Sequence, residues 1–167
     1  MRVPRSLIRS LRSLRFLALI FLAGCVSTGP ALTEADFPVE QDQIRHRLDQ
    51  IIEAVEKGEL DRLDSYHFYG PKFTKFSPGS AVRQDAASAR QGEHAGLNSI
   101  KELKMEAENL KIDVFGEVGV ATFVIHSTFI LSGNRVDKRD RATLVFAKVR
   151  GEWGIVHEHL SSLPSGS

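Results

Sequence analysis

The sequence predicts an α+β domain: three helices first, then a mainly antiparallel sheet. Three observations predict it. Apolar residues recur at three- and four-residue spacing between positions 41 and 57, as one face of a helix requires. Every segment after Glu106 alternates or runs apolar in the manner of strands. Gly116, Ser132-Gly133-Asn134 and Arg150-Gly151 then separate those strands with turn signals. With 167 residues, 42% of them hydrophobic and 26% charged, the chain can bury one core and has no room for a second domain.

Ahead of the domain stands a different composition. Arg2, Arg5, Arg9, Arg12 and Arg15 precede a short apolar run from 16 to 24 with no acid among them. The run is too short to span a bilayer as a helix, and a basic region followed by an apolar one has the form of an export signal. Leu22-Ala23-Gly24-Cys25 closes it. These four residues resemble the bacterial lipobox, which implies cleavage before Cys25 and transfer of a diacylglycerol to its thiol, with palmitate as a further acyl chain on the new N-terminal residue. Cys25 is the one cysteine of the chain, so no internal disulfide explains it. Several acyl chains would anchor the protein stably, and Val26 rather than an aspartate after the cysteine resembles the signal for the outer membrane, facing the periplasm. The chain thus divides into a lipoprotein signal peptide at 1–24, a lipidated Cys25 with a flexible tether through 40, and a domain at 41–163. Removing the five arginines from the formal charge of +1 leaves the remainder at −4. A mildly acidic remainder without a basic face argues against nucleic-acid binding.

Within the domain, Ile44, Leu48, Ile51, Ile52 and Val55 form the stripe of the first helix, which Gly58 ends. Residues 59 to 66 read as a second short helix with Leu60 and Leu63 inward. The aromatic cluster Tyr66-His67-Phe68-Tyr69, which packs as a hinge or lends the Tyr66 hydroxyl and the His67 imidazole to a cavity, meets a turn at Gly70-Pro71, and 73 to 77 alternates as a brief strand. Residues 81 to 92 are polar and small without a period, which predicts a mobile surface loop. Leu97, Ile100 and Leu103 predict a third helix from 93 to 105, with His94 one turn before Leu97, at a cavity rim or in water. Strands follow at 110–115, 118–131, 139–150 and 153–161. The 118–131 strand is apolar on both sides, Phe123, Ile125 and Phe129 against Val120, Val124 and Ile130. Such a strand is covered on both faces, and three helices cover one well, so the other predicts a homodimer surface.

The order of these elements, Phe73-Thr74-Lys75-Phe76-Ser77-Pro78 on the first strand, and the closing Gly151, Trp153, Ile155, Val156, His157, His159 and Ser161 resemble the nuclear transport factor 2 (NTF2)-like superfamily. Within it the chain is similar to SnoaL-like proteins and to the association domain of calcium/calmodulin-dependent kinase II. The resemblance covers about 41 to 161. It implies an NTF2-like cone of three N-terminal helices packed on a curved sheet around a pocket, usually in a homodimer. Members isomerise, cyclise, hydrate or dehydrate small molecules, or bind and assemble. In the association domain an arginine that helps to bind carboxylates follows the second histidine; here the residue is Leu160, which argues against that binding. Residues 41 to 57 contain no tyrosine of the kind steroid-isomerase-like members use.

The polar residues of the last strand carry the remaining expectations. His157 and His159 share one strand face, as metal ligands can, but two histidines leave the usual ligand count unmet, so neither a metal nor a cofactor is expected. As acid/base residues, His157 and Glu158 are the catalytic candidates. His126, Tyr66 and Asp140 are their companions, and Tyr66, His126, His159 and Val156 are the candidates for ligand contact. If Leu160 faces the pocket, alternation turns Val156 and Glu158 inward and both histidines outward. Glu158 would then have a raised pKa in an apolar cone, unless Arg141 or Lys148 pairs with it. Trp153 closes the core. The expected function is a lipid-anchored envelope protein whose pocket binds a small apolar or amphipathic molecule without transforming it. The alternatives are a SnoaL-like isomerase, cyclase or hydro-lyase, and a structural lipoprotein that binds a protein partner.

Overall fold

The computed structural model describes residues 31–163. The leader at 1–24, Cys25 and the first part of the tether lie outside the described residues. Helix α1 (Pro38–Lys57) starts on a proline and ends on Gly58, whose φ of 68° needs the left-handed freedom of glycine. Helix α2 (Leu60–Ser65), strand β1 (Thr74–Phe76) and helix α3 (Ala86–Asn98) follow. Four long strands complete the chain: β2 (Ile100–Phe115), β3 (Val118–Leu131), β4 (Asn134–Val149) and β5 (Glu152–Ser162). They form one sheet in the order β1-β5-β4-β3-β2, antiparallel except for the β1–β5 pair.

The sheet curves because its strands are locally irregular. In β2 the register against β3 shifts between Lys101 and Lys104 and again between Glu108 and Lys111. Glu102 and Asn109 sit there at φ 52° and 56°. Such bulges bend a strand and increase its twist. A third irregularity, between Val145 and Phe146, leaves Val156 without a partner on β4. The concave face receives α1, whose buried Ile44, Leu48 and Ile51 lie on the stripe expected from the sequence. Ile44, Phe73, Phe146 and Ile155 are the largest fully buried side chains. Each such burial stabilises by roughly 1.5–3 kcal/mol. Trp153 is 3% exposed and donates through Nε1 to Gln43 Oε1 at 3.0 Å, closing the core as expected.

Two expected elements are redrawn. The helix expected at 93–105 ends at Asn98, and Ile100 and Leu103 belong to β2. Residues 100 to 110 are rich in helix-forming Lys, Glu, Leu, Met and Ala, but a full ladder with β3 outweighs that weak preference. The polar stretch expected as a mobile loop is helical from Ala86. Asp85 caps it by accepting from the Ser88 amide at 2.8 Å.

Candidate functional site

Between the helices and the concave face lies a cavity of about 450 Å³. From α1, Leu48, Ile51, Ile52 and Val55 line it, one face at helical spacing. From α3 come Ala89, Gly92, Glu93, Gly96 and Leu97, again at helical spacing. Three of these five carry little or no side chain. The helix therefore lies over the sheet without filling the space beneath it. Phe123, Leu144, Ile155 and Leu160 supply apolar wall from the strands.

At one end of the cavity four charged side chains meet. In the parallel pairing of β1 with β5, Lys75 stands beside Glu158. Lys75 Nζ donates to Glu158 Oε2 at 2.8 Å and also to Glu93 Oε1. His67 arrives because the segment after α2 runs along β5: Phe68 N donates to Ile155 O and Ile155 N to Tyr66 O, both at 2.9 Å. Its Nε2 lies 2.6 Å from Glu158 Oε1 and its Nδ1 3.0 Å from the carbonyl of Leu63. Tyr69 donates its hydroxyl to Glu93 Oε2 at 2.7 Å and stacks on the His67 ring at 4.9 Å. Both imidazole nitrogens thus face acceptors, which the doubly protonated ring satisfies. Two cations and two anions then balance. Each carboxylate oxygen has a donor, and the Lys75 ammonium keeps one N–H for the cavity.

The charges hold one another in their ionised forms. Burial pushes the Glu158 carboxyl upward, but the positive charge of Lys75 and the His67 hydrogen bond outweigh it and set its pKa well below the ordinary range. Burial likewise disfavours the His67 and Lys75 cations, yet the hydrogen bond and charge of Glu158 raise His67, and the charges of Glu158 and Glu93 raise Lys75. Burial, then the Glu93 charge, raises Tyr69, so its hydroxyl keeps its proton.

The sequence profile of the SnoaL-like domain matches residues 44–165 of this chain. The chain belongs to the SnoaL-like family. No curated protein matches it. A proposed dehydratase of the NTF2-like family from Streptomyces avermitilis is 17% identical, with a TM-score of 0.70 over 77% of this chain and 99% of the other. A proposed calcium/calmodulin-dependent protein kinase II association domain from Xanthomonas campestris is 18% identical, with a TM-score of 0.65 over 78% and 94%. A proposed scytalone dehydratase from Novosphingobium aromaticivorans is 13% identical, with a TM-score of 0.66 over 76% and 86%. These likenesses show the NTF2-like α+β fold.

In this SnoaL-like chain, Leu160 and Glu158 line the cavity, while His157 and His159 point to the convex face, as alternation from Leu160 requires. His157 Nδ1 lies 2.8 Å from Thr74 Oγ1, and the exposed His159 lies against the Phe76 ring. Val156 lies off the cavity because it is the extra residue of the bulge; Ile155 takes the inward position. Tyr66 is buried outside the cavity, its hydroxyl accepting from Arg62 Nε at 2.8 Å with Arg47 over its ring. His126 sits on the convex face, 2.9 Å from Asp137. His94 pairs with Asp64 at 3.0 Å rather than at the cavity rim. The raised pKa expected for Glu158 is reversed, because Lys75 and His67 partner it. Arg141 is exposed on the convex face, and Lys148 lies over Trp153.

Lys75, Glu93 and Tyr69 complete the site without having been singled out in the sequence. The one available signal was the Lys75 position in the strand motif that carries the family resemblance. His67, Glu93 and Glu158 could by spacing hold a metal ion, but the Lys75 ammonium already sits against both carboxylates. On the convex face Glu106, Glu108 and His126 also cluster. There Arg139 pairs with Glu108 and Asp137 with His126, so two of the three donors are already engaged. Neither group fits a resident metal.

Proposed function

We propose that this SnoaL-like protein binds a small, mostly apolar molecule through one hydrogen-bond-accepting group seated on Lys75, and that it does not transform it. The observation that carries this reading is the saturation of the buried network. A general base needs an open lone pair and a pKa near the working pH. Glu158 is held as an anion far below that range, both nitrogens of His67 are engaged, and Lys75 is held as a cation. What this network leaves for a ligand is one N–H of Lys75 beside largely apolar walls, which suits recognition.

A second reading is acid/base catalysis on a small organic substrate. Its support is the buried His67–Glu158 pair in the cavity and the description of two fold neighbours as dehydratases. Under that reading, substrate entry would have to displace Lys75 or His67 from Glu158.

The protein is further proposed to work at the bacterial envelope, held by acylated Cys25, as a homodimer through the convex face. The leader and Leu22-Ala23-Gly24-Cys25 support the anchor. The support for the dimer is that the half-buried Val120, Val124 and Ile130 lie on the sheet face opposite α1.

One experiment reads all three: native and denatured mass spectrometry of the full-length chain extracted from bacterial membranes. The expected denatured mass is that of a chain cleaved before Cys25 and carrying diacylglycerol and palmitate. The expected native species is a dimer with further mass per subunit that leaves on denaturation. An apo subunit would overturn the binding reading, an unacylated chain the anchor, and a monomer the dimer.

A further inference from the structure

Beside Lys138, Asp140 is the charged group of the cavity that the Lys75–Glu158 network leaves unused. It faces the cavity from β4, paired with Ile125 of β3. Its Oδ2 takes an ion pair from Lys138 Nζ at 2.7 Å. Its Oδ1 is buried and has no hydrogen-bond partner among the described residues. A buried acceptor left without a donor is destabilising, and native structures seldom leave one so. Lys138 already neutralises the carboxylate, so the missing donor is a neutral O–H rather than a second cation.

The position of Asp140 relative to Lys75 defines the shape of the ligand. Glu158 pairs with Leu144, and Asp140 lies four residues earlier on β4, roughly 14 Å along the strand. Between these levels the concave face carries Ala142, Leu160 and Phe123, all apolar. The cavity therefore has a cationic donor at one end, a bare acceptor at the other and apolar wall between. At the Lys75 end, Glu93 and Glu158 already flank the ammonium, so a neutral carbonyl suits it better than another carboxylate.

We propose that Asp140 Oδ1 is a second ligand subsite, and that the molecule held in the cavity is bipolar. A carbonyl-type oxygen accepts from Lys75, an apolar body of about eight carbons crosses the wall, and a neutral hydroxyl donates to Asp140. This rests on the reading of the cavity as a binding site.

The test uses two nearly isosteric probes, the methyl ester of an eight-carbon ω-hydroxy acid and the ester with methyl in place of the hydroxyl. Their affinities are measured by titration calorimetry on the acylated protein in detergent. Wild type is expected to prefer the hydroxy ester. Asp140→Leu should lower the hydroxyl-to-methyl affinity ratio about tenfold or more, while Asp140→Asn, which keeps the acceptor, stays within about threefold of wild type. An unchanged ratio in Asp140→Leu overturns the subsite and leaves the pocket in place. If that variant does not fold, a wild-type ratio of one or less overturns the subsite. Failure of wild type to bind either ester overturns both the subsite and the binding reading beneath it.

Discussion

Lys75 is the residue on which the buried charges depend. It is 6% exposed and touches both Glu93 and Glu158, so its removal leaves two carboxylates in the interior with His67 as the remaining cation. Lys75→Met is expected to cost about 3–5 kcal/mol in urea unfolding, the penalty typical of a broken buried ion pair. Adding Glu158→Gln to that variant should recover part of the loss, since the two sites are coupled. A loss below about 1 kcal/mol would show that water reaches these charges. Glu158 was legible in the sequence because alternation from Leu160 turns it inward. Its partners were not, because His67 is 91 residues away and meets it through a pairing that no local pattern records.

At the scale of elements, the junction of β5 with the segment from Tyr66 to Phe68 sets the position of His67. Gly154 makes that junction close: a Cβ there would stand 2.6 Å from the Phe68 ring. Gly154→Ala is therefore expected to destabilise by about 1–3 kcal/mol, as overpacking does, and to shift the His67 ring resonances in NMR spectra. Wild-type stability with unmoved resonances would contradict this account. α1 was readable from its stripe because its inward residues are bulky. Of α3 only the stretch from 93 to 98 was readable, through Leu97; its start at Ala86 was not, since its inward face there is built of Ala89 and Gly92, which hydrophobic periodicity cannot register. The small residues that hid the start of the helix are among those that leave the cavity open. Residues 100 to 110 misled in the opposite sense, since their helical composition gives way to pairing with β3.

For the whole molecule the buried network predicts a stability maximum in mildly acidic solution. Glu158 keeps its charge below the ordinary value of 4.5, so its contribution is present above 4.5 and is lost as the pH falls through the lowered folded value. His67 keeps its proton above 6.5, so its contribution is complete below 6.5 and is lost as the pH rises through the raised folded value. Stability from this site should peak between 4.5 and 6.5. The urea midpoint followed across roughly pH 3 to 9 should show both limbs, and His67→Gln should flatten the upper one. A midpoint that climbs steadily through that range would contradict the charged pair.

The sequence by itself determined the α+β class, the stripe of α1, the long antiparallel strands with their turns, and the inward direction of Glu158. These follow from periodicity and turn chemistry, which act between near neighbours in the chain. Only the tertiary structure decided that Lys75 and His67 hold that carboxylate with Glu93 and Tyr69 behind them, that a bulge turns Val156 aside in favour of Ile155, and that Asp140 Oδ1 is left without a donor in the wall. Those facts depend on the parallel register of β1 on β5, the packing of α3 over the sheet and one extra residue in a strand. Each joins segments far apart in the chain, and the sign of the Glu158 pKa shift depends on them: a lone carboxylate in an apolar cone would be raised, and this one is lowered by its partners.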